Sequence, residues 1–336
     1  MLAPIAWRTP PLHYGPWELV TSLLTEGLVA RGIDVTLFAT LDSVTGAELR
    51  GMSPHGYAED PSMDGRVWEA VHVAHALAAA GDFDLVHNQL DWLPLAFAEH
   101  CPVPMVTTIH GFSGAGILPA YAWAQKHASS HYIAISDADR SPDLDYAATI
   151  YHGIDLTLLP LQAAGGEHLV SFGRIHPDKG TAEAIAIARQ AGRQLLICGI
   201  VHDQSYFDEE IKPHLDGDHV VYLGNVGAEQ RAEVLGSAAA LLHPIHFAEP
   251  FGLSVVEAMA CGTPVVAYRL GSMPEVIDEG VTGYLCDDVA SAVVAVERAL
   301  SLDRRAVGAR AASRFSAERM VDDYLRVYEE ILTGRV

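Results

Sequence analysis

The sequence predicts an α/β protein of two doubly wound domains, each with its own parallel sheet. Apolar strand-like runs alternate with helical segments along the chain, and this alternation restarts after a connection near Gly153–Gly166. The 336 residues, half of them hydrophobic, are enough for two packed domains. Ligand sites in such domains lie at the carboxyl ends of the strands.

Each half of the chain has its own series of predicted elements. The first half predicts two helices, Trp17–Ala30 and Val67–Ala80, and the strands Met1–Ala6, Asp34–Ala39, Leu85–His87, Val103–Ile109 and His131–Ser136. The second half predicts the helices Thr181–Ala191, Arg231–Ser237 and Ser254–Ala260, and the strands His168–Phe172, Gln194–Cys198, His219–Leu223, Ala239–His243 and Pro264–Ala267. The tail, Ala317–Leu332, predicts an amphipathic final helix.

The charge balance excludes several classes of partner. The net charge is −22, from 43 acidic and 21 basic residues; residues up to Asp155 include 18 acidic and 6 basic residues, and the rest include 25 and 15. Neither half offers the basic surface that nucleic acid or anionic lipid requires, so we expect no nucleic-acid partner and no strong membrane association. The cysteines are not spaced in pairs, and the sequence contains no leader-like run and no run that could span a membrane. These features predict a cytoplasmic protein. The paired histidines lack further ligands, so no metal site is expected.

The most informative segment is Glu249–Glu257, in which seven residues, Pro-Phe-Gly-Leu-Ser-Val-Val, separate two carboxylates. Pro250 and Gly252 suit the start of a helix, and Ser254 can satisfy free amides there. Backbone amides at a helix start attract phosphate or sugar oxygens. Glu257, one turn into the helix, can accept hydrogen bonds from a diol such as ribose. The alternative is a capped surface helix flanked by two ordinary carboxylates.

Two of the few cations in the chain, Arg174 and Lys179, lie on one predicted loop after a strand. Arginine can bind a phosphate with two hydrogen bonds, and lysine supplies a mobile point charge. Two solvated loop charges would explain the same pattern. The segment Gly271–Glu275 follows a later strand and either borders the same site or is only a connection.

The first half contains two further candidates. Gly15 permits a tight turn before the first helix, where amides could face an anion, although a plain strand-to-helix turn is equally consistent. His110 directly follows an apolar strand and could donate to a sugar hydroxyl, or could be a structural histidine. Aromatic residues within 90–92 and 112–121 could stack on sugars or could belong to the core.

Together these residues resemble the family 4 retaining glycosyltransferases, which have the GT-B fold. The matching segments occur in the expected order: the turn at Gly15, His110-Gly111, Gly153-Ile154-Asp155, Gly173-Arg174 with Lys179-Gly180, Glu249 to Glu257, Gly262-Thr263-Pro264-Val265 and Pro274-Glu275. The family commonly has two glycines in the first turn, whereas Pro16 occupies the second position here.

The resemblance implies a division of labour between two Rossmann-like domains that face a cleft. Residues 1–155 would bind the acceptor, residues 156–316 the nucleotide sugar, and residues 317–336 would cross back to the N-terminal domain. The implied catalytic residues are His110, Arg174, Lys179 and Glu249. The implied donor-binding residues are Gly15, Arg174, Lys179, Val226, Glu249, Phe251, Gly252, Leu253, Ser254 and Glu257.

The activity implied by the resemblance is a retaining, metal-independent hexosyl transfer in polysaccharide biosynthesis or a related pathway. Family frequency favours UDP-glucose as the donor, and the acceptor would be a hydroxyl group of a glycan, glycolipid or small molecule. No cofactor is expected. Three alternatives remain open: a GDP-mannose-dependent mannosyltransferase, a nucleotide-sugar epimerase or hydrolase, and a non-catalytic glycosyltransferase-like partner subunit.

Overall fold

The computed structural model describes residues 1–111, 114–126 and 129–335, apart from the side chains of residues 228 and 229. The chain divides into two compact units. The first contains Met1–Gly153 and the segment that begins at Ala317, and the second is Ile154–Ser316. The first boundary lies two residues before the one expected from the sequence, and the second coincides with it.

The first unit is built on parallel strands. One sheet contains, in chain order, β3 (Val86–Asn88), β4 (Met105–Ile109), β5 (Ser130–Ala134) and β6 (Tyr146–Thr149), and a separate pair is formed by β1 (Thr36–Phe38) and β2 (Glu48–Arg50). Leu2 makes single parallel bridges to Phe38 and to Asn88, so the beginning of the chain lies between β1 and β3. The predicted strand Met1–Ala6 is therefore wrong in extent. Pro4 lacks the amide hydrogen that would continue the ladder.

Helices surround these strands. The first unit contains α1 (Pro16–Ala30), α2 (Gly65–Ala78), α3 (Leu118–Ala124) and the final helix (Ala317–Leu332), with short 3-10 turns at Tyr57–Glu59, Ala80–Asp82 and Pro94–His100. The final helix packs against α1. Its approach requires Gly27, because a Cβ there would lie 2.4 Å from Val321 Cγ2. Its buried side consists of Met320, Val321, Tyr324, Val327 and Ile331.

The second unit has one parallel sheet with strand order β12-β11-β10-β7-β8-β9. The strands are β7 (Leu169–Phe172), β8 (Leu195–Cys198), β9 (Val220–Gly224), β10 (Ala240–His243), β11 (Val265–Tyr268) and β12 (Gly283–Cys286). The chain runs from β7 to β9 in one direction and then returns to the other side of β7 at β10. Loops that follow neighbouring strands at such a reversal diverge and leave a crevice for a ligand.

The connections in this unit are mostly helical. They are α4 (Thr181–Gln190), α5 (Gln204–Tyr206), α6 (Ala228–Ser237), α7 (Leu253–Ala260), α8 (Met273–Val276), α9 (Val289–Ala299) and α10 (Arg304–Phe315), with a π-helical turn at Phe207–Ile211 and 3-10 turns at Pro177–Lys179 and Lys212–His214. The residues of β10 and β11 are buried throughout, as expected for central strands covered on both faces. No helix in the described residues is long and apolar enough to cross a membrane.

The doubly wound α/β class predicted from the sequence is confirmed. Each remaining predicted strand and helix overlaps an observed one, and the final helix has the predicted bounds. The prediction missed two marginal strands, β2 and β6, whose residues are partly buried or exposed and so lack an apolar run. It also missed the elements α3, α5, α8, β12, α9 and α10.

Candidate functional site

The second unit brings two predicted segments together where its strand order reverses. The loop Gly173–Gly180 follows β7, and the segment leading to Glu249 follows β10. Gly180 has a φ of 65°, and a Cβ there would lie 1.8 Å from the carbonyl oxygen of Pro244. Only glycine allows this approach of the two backbones. The approach places Lys179 next to Glu249.

Lys179 and Glu249 form a tight ion pair. Lys179 Nζ lies 2.5 Å from Glu249 Oε2, and His243 Nε2 lies 3.5 Å from the same oxygen. The Lys179 ammonium also lies over the Phe247 ring, 4.4 Å from its centre. Burial alone would raise the pKa of Glu249, but the neighbouring His243 and the charge of Lys179 outweigh it and lower the pKa to about 2. Glu249 is therefore a carboxylate at neutral pH.

Arg174 lies on the same loop as Lys179 but has a different partner. Its Nη2 atom is 3.6 Å from Asp178 Oδ2, and Asp178 Oδ1 lies 2.6 Å from His176 Nδ1. The Arg174 side chain is only 25% exposed. The two predicted cations therefore share a loop, and each is balanced by its own carboxylate.

Glu257 lies in α7 and pairs with a residue that the sequence analysis did not select. Arg231 Nη1 donates to Glu257 Oε1 over 2.9 Å, and Glu257 is buried. Burial raises the pKa of Glu257, while the charge of Arg231 and its hydrogen bond act in the opposite direction. The predicted ribose ligand is therefore a buried carboxyl group with an arginine partner.

The start of α7 differs in detail from the prediction. Its N-cap is Gly252, with a φ of 88°, and no side chain caps the helix. The predicted capping role of Ser254 is wrong, because the helix already begins at Leu253. Phe251 is buried and its ring meets that of Phe315 edge to face, with centres 5.8 Å apart. Phe251 is therefore a core residue whose contribution to a ligand site is limited to its backbone.

Two other predicted segments border this region. Gly271 packs against the backbone of Glu249, since a Cβ at Gly271 would lie 2.3 Å from the Glu249 nitrogen. The Ser272 amide donates to the Glu249 carbonyl over 2.9 Å, so the Gly271–Glu275 segment holds Glu249 in place. Val226, in the loop between β9 and α6, is buried, so its backbone is the part that can contact a base.

In the first unit, Gly15 directly precedes α1 and His110 directly follows β4. Gly15 precedes α1 with a φ of 150°, and a Cβ there would lie 2.9 Å from both Glu18 Oε2 and Pro11 Cβ. Pro16 then occupies the first turn of α1. Trp17 stacks on His110, with ring centres 5.2 Å apart and an angle of 19° between the planes. The first turn of α1 thus packs directly on His110.

Both ring nitrogens of His110 contact protein groups. Nε2 lies 2.6 Å from Gln89 Oε1, and Nδ1 lies 3.3 Å from His152 Nε2. Burial lowers the pKa of His110 to about 3, so the ring is neutral at physiological pH. A hydrogen bond from this ring to a sugar hydroxyl would have to replace one of the two contacts. Neither Trp17 nor Gln89 was selected from the sequence.

His87, at the end of a predicted strand, and the aromatic residues of the first unit lie in different environments. His87 Nε2 lies 2.8 Å from Thr108 Oγ1 and its Nδ1 lies 2.5 Å from the hydroxyl of Tyr328 in the final helix, which fits a structural role. Of the proposed aromatic surface, Tyr121 is buried, Trp92 is 41% exposed, and residues 112 and 113 lie outside the described residues. In the described part of the chain, no group of three His, Cys, Asp or Glu residues is arranged to hold a metal ion.

Comparison with known families covers most of the chain. The family model for Glycosyl transferases group 1 matches residues 161–314, and the model for Glycosyltransferase Family 4 matches residues 18–158. The chain is a family 4 glycosyltransferase.

Relatives of this glycosyltransferase include enzymes and solved structures of similar length. A glycogen synthase from Mycobacterium tuberculosis is 27% identical over 379 aligned residues, which cover 95% of this chain and 90% of the relative. AviGT4, a glycosyltransferase involved in avilamycin A biosynthesis, is 24% identical with a TM-score of 0.75, over 99% of this chain and 97% of AviGT4. HepE from Anabaena, solved in complex with UDP and glucose, is 20% identical with a TM-score of 0.73, over 94% and 96% of the chains. The predicted GT-B fold is confirmed.

Glycosyl transfer requires groups that stabilise developing negative charge. Breaking a bond between a sugar and its leaving group builds negative charge, which fixed cations and amides stabilise. An ammonium group carries three N–H donors, so Lys179 can bond an anion while it bonds Glu249. Lys179, Glu249 and Glu257 were selected from the sequence, whereas their partners His243 and Arg231 were not. A cation in the first turns of α6, four residues after Gly227, was the available signal for Arg231.

Proposed function

We propose that this glycosyltransferase is a retaining, metal-independent hexosyltransferase that moves glucose from UDP-glucose to a hydroxyl group of its acceptor. The observation that carries the proposal is the contact of Lys179 with Glu249, 2.5 Å apart, at the strand reversal of the second unit. The presence of UDP and glucose in the HepE complex supports the choice of donor. No cofactor other than the donor substrate is needed.

In this proposal, the second unit binds the donor. Arg174 and Lys179 neutralise the diphosphate, and Glu249 orients hydroxyls of the transferred sugar. Glu257 accepts hydrogen bonds from the ribose, and the backbone at Val226 contacts the base. The amides of residues 251–253, with Ser254, complete the donor site at the start of α7. On the first unit, Gly15 and His110 are the residues proposed to act in substrate binding and catalysis.

The proposed reaction follows front-face substitution. The bond from the anomeric carbon to the phosphate oxygen breaks, and the acceptor hydroxyl oxygen bonds to the same face of that carbon. The hydroxyl proton passes to the leaving phosphate, so the products are UDP and an α-linked glucoside. Lys179 and Arg174 stabilise the charge on the departing UDP, which is why no divalent metal is required.

The first experiment is a thermal-shift titration with UDP, GDP and ADP, followed by UDP-glucose and GDP-mannose, all in the presence of a chelator. We expect UDP and UDP-glucose to give the largest stabilisation. A response to GDP and GDP-mannose alone would replace the proposal with a mannosyltransferase. No response to any nucleotide would favour a non-catalytic partner subunit.

The second experiment follows turnover of UDP-glucose by proton NMR with and without a panel of glycans, glycolipids and small hydroxylated acceptors. An α-linked product that requires an acceptor supports retention and transfer. If glucose is released equally with and without acceptor, the protein is a hydrolase. If an epimerised sugar nucleotide forms equally with and without acceptor, it is an epimerase. A β-linked product would contradict retention.

A further inference from the structure

Arg231 is a charged residue in α6 that lies between two predicted parts of the donor site. Its Nη1 atom donates to Glu257 Oε1 over 2.9 Å. Its guanidinium carbon lies 5.3 Å from the centre of the Phe172 ring, and Phe172 is the last residue of β7. Arg231 therefore contacts both the α7 carboxylate and the strand that leads into the Arg174 and Lys179 loop.

The pair is shielded from solvent, so each partner depends on the other. The Arg231 side chain is 23% exposed and that of Glu257 is 7% exposed. Removing one member of a buried ion pair leaves an uncompensated charge, which costs more than the pair itself gains. Burial already raises the pKa of Glu257, and Arg231 opposes that rise. Without Arg231, Glu257 would bind a proton more readily and lose an acceptor site.

The geometry also fixes where the carboxylate points. A guanidinium group is planar and presents its five N–H donors in a rigid fork. One arm of the Arg231 fork holds Oε1 of Glu257, while the guanidinium group packs against the Phe172 ring. Arg231 Nε is buried and donates to no acceptor among the described residues, so the fork is oriented by Glu257 and Phe172.

We propose that Arg231 is a positioning residue of the donor site, which holds the Glu257 carboxylate so that it accepts hydrogen bonds from both hydroxyls of the nucleotide ribose. This inference rests on the proposed function, because it assumes that Glu257 faces the ribose of a nucleotide donor. It adds a residue that acts through Glu257 and makes recognition of the ribose diol depend on α6.

The test compares UDP with 2′-deoxy-UDP by isothermal titration calorimetry. Because a charged acceptor is involved, wild type should bind UDP about tenfold more tightly than 2′-deoxy-UDP. In Arg231→Gln, the affinity for UDP should fall by about tenfold while that for 2′-deoxy-UDP changes little, so the ratio approaches one. Glu257→Gln should show the same loss of preference, and the double variant should be no worse than either single variant.

Two further variants separate positioning from general damage. Arg231→Lys keeps the charge but loses the fork. Its ratio of UDP affinity to 2′-deoxy-UDP affinity should therefore lie between those of wild type and Arg231→Gln. Arg193→Gln is the matched control: Arg193 is also 23% exposed and pairs with Glu297 over 3.5 Å, but it precedes β8 at the amino edge of the sheet. Its ratio should equal that of wild type.

The outcomes distinguish this inference from the proposed function. If Arg231→Gln does not fold, Arg231→Lys, which keeps both the positive charge and Glu257, gives the comparison instead. Should wild type bind GDP or ADP instead, the deoxy form of that nucleotide replaces 2′-deoxy-UDP. A ribose preference that survives in Arg231→Gln overturns the inference alone. Failure of wild type to bind any of the three nucleotides overturns the proposed function as well.

Discussion

Replacing Gly180 with alanine tests how the donor site is assembled. Gly180 has a φ of 65°, and an added Cβ would lie 1.8 Å from the Pro244 carbonyl oxygen, whereas real Cβ atoms essentially never come closer than 3.0 Å. The two loops must therefore separate by about 1.2 Å, the difference between these distances. That shift would carry Lys179 Nζ beyond hydrogen-bond length from Glu249, which lies 2.5 Å away.

The size of the effect follows from the pKa of Glu249. The environment lowers this pKa from 4.5 to about 2, and at about 1.4 kcal/mol per pKa unit the difference corresponds to about 3 kcal/mol. Because the pKa is lowered on folding, this stability is present above pH 4.5 and is lost as the pH falls towards 2. Lys179 and His243 share the effect. We therefore expect Gly180→Ala to lower the free energy of unfolding at pH 7 by ~1.5–3 kcal/mol, because the pair is weakened. The left-handed backbone adds ~1–2 kcal/mol.

Gly192→Ala is the matched control for this experiment. Gly192 has a φ of 64°, but an added Cβ would meet no atom within 4 Å. It should lose only the ~1–2 kcal/mol of the left-handed backbone. Urea unfolding at pH 7, with hydrogen exchange of amides in β7 and β10, measures both variants. Equal losses of unfolding free energy in Gly180→Ala and Gly192→Ala would refute the reasoning. So would a difference in unfolding free energy between wild type and Gly180→Ala that does not shrink as the pH falls from 4.5 to 2.

Three other predictions concern the carboxylates, the metal requirement and the final helix. Glu249→Ala should lower turnover more than nucleotide affinity, whereas Glu257→Ala should weaken UDP binding by ~1.5–3 kcal/mol. Steady-state kinetics and calorimetry measure the two effects. If both variants show equal and negligible effects, both residues are only structural. UDP affinity should be unchanged by a chelator, and strict dependence on magnesium or manganese in the same titration would contradict a site based on Arg174 and Lys179. Deleting residues after Ser316 should reduce hydrogen-exchange protection in the first unit, because the Tyr324 hydroxyl lies 2.7 Å from Thr108 Oγ1 and the Tyr324 ring is buried there. A loss of protection confined to the second unit would show that the final helix does not stabilise the first unit.

The alternation of apolar runs was sufficient to predict the fold class and most elements. Central strands are buried on both faces, so β10, apart from His243, and β11 are apolar runs in the sequence. Helical periodicity in Ala317–Leu332 likewise predicted the bounds of the final helix. Elements with partial burial, such as β2 and β6, have no comparable pattern and were missed.

The positions of the candidate residues could be predicted only as far as their loops. Strand ends in a parallel sheet share one edge, so Lys179 and Glu249 were expected in one region. The ion pair itself joins residues 70 positions apart, and it depends on β10 returning beside β7 and on the absence of a Cβ at Gly180. Neither condition is a local property of the chain.

Burial and ion pairing together decided the chemical state of each group, and the sequence contains no direct signal for either. His110 is a neutral ring held by Gln89 and His152, and Glu257 is a carboxyl group held by Arg231, which is 26 positions away. By itself, the sequence determined the fold class, the order of the elements and the loops that hold the polar residues, because periodicity records which positions face a core. Only the tertiary structure decided which charges pair, because desolvation and ion pairing act between groups that meet after the strands have been ordered.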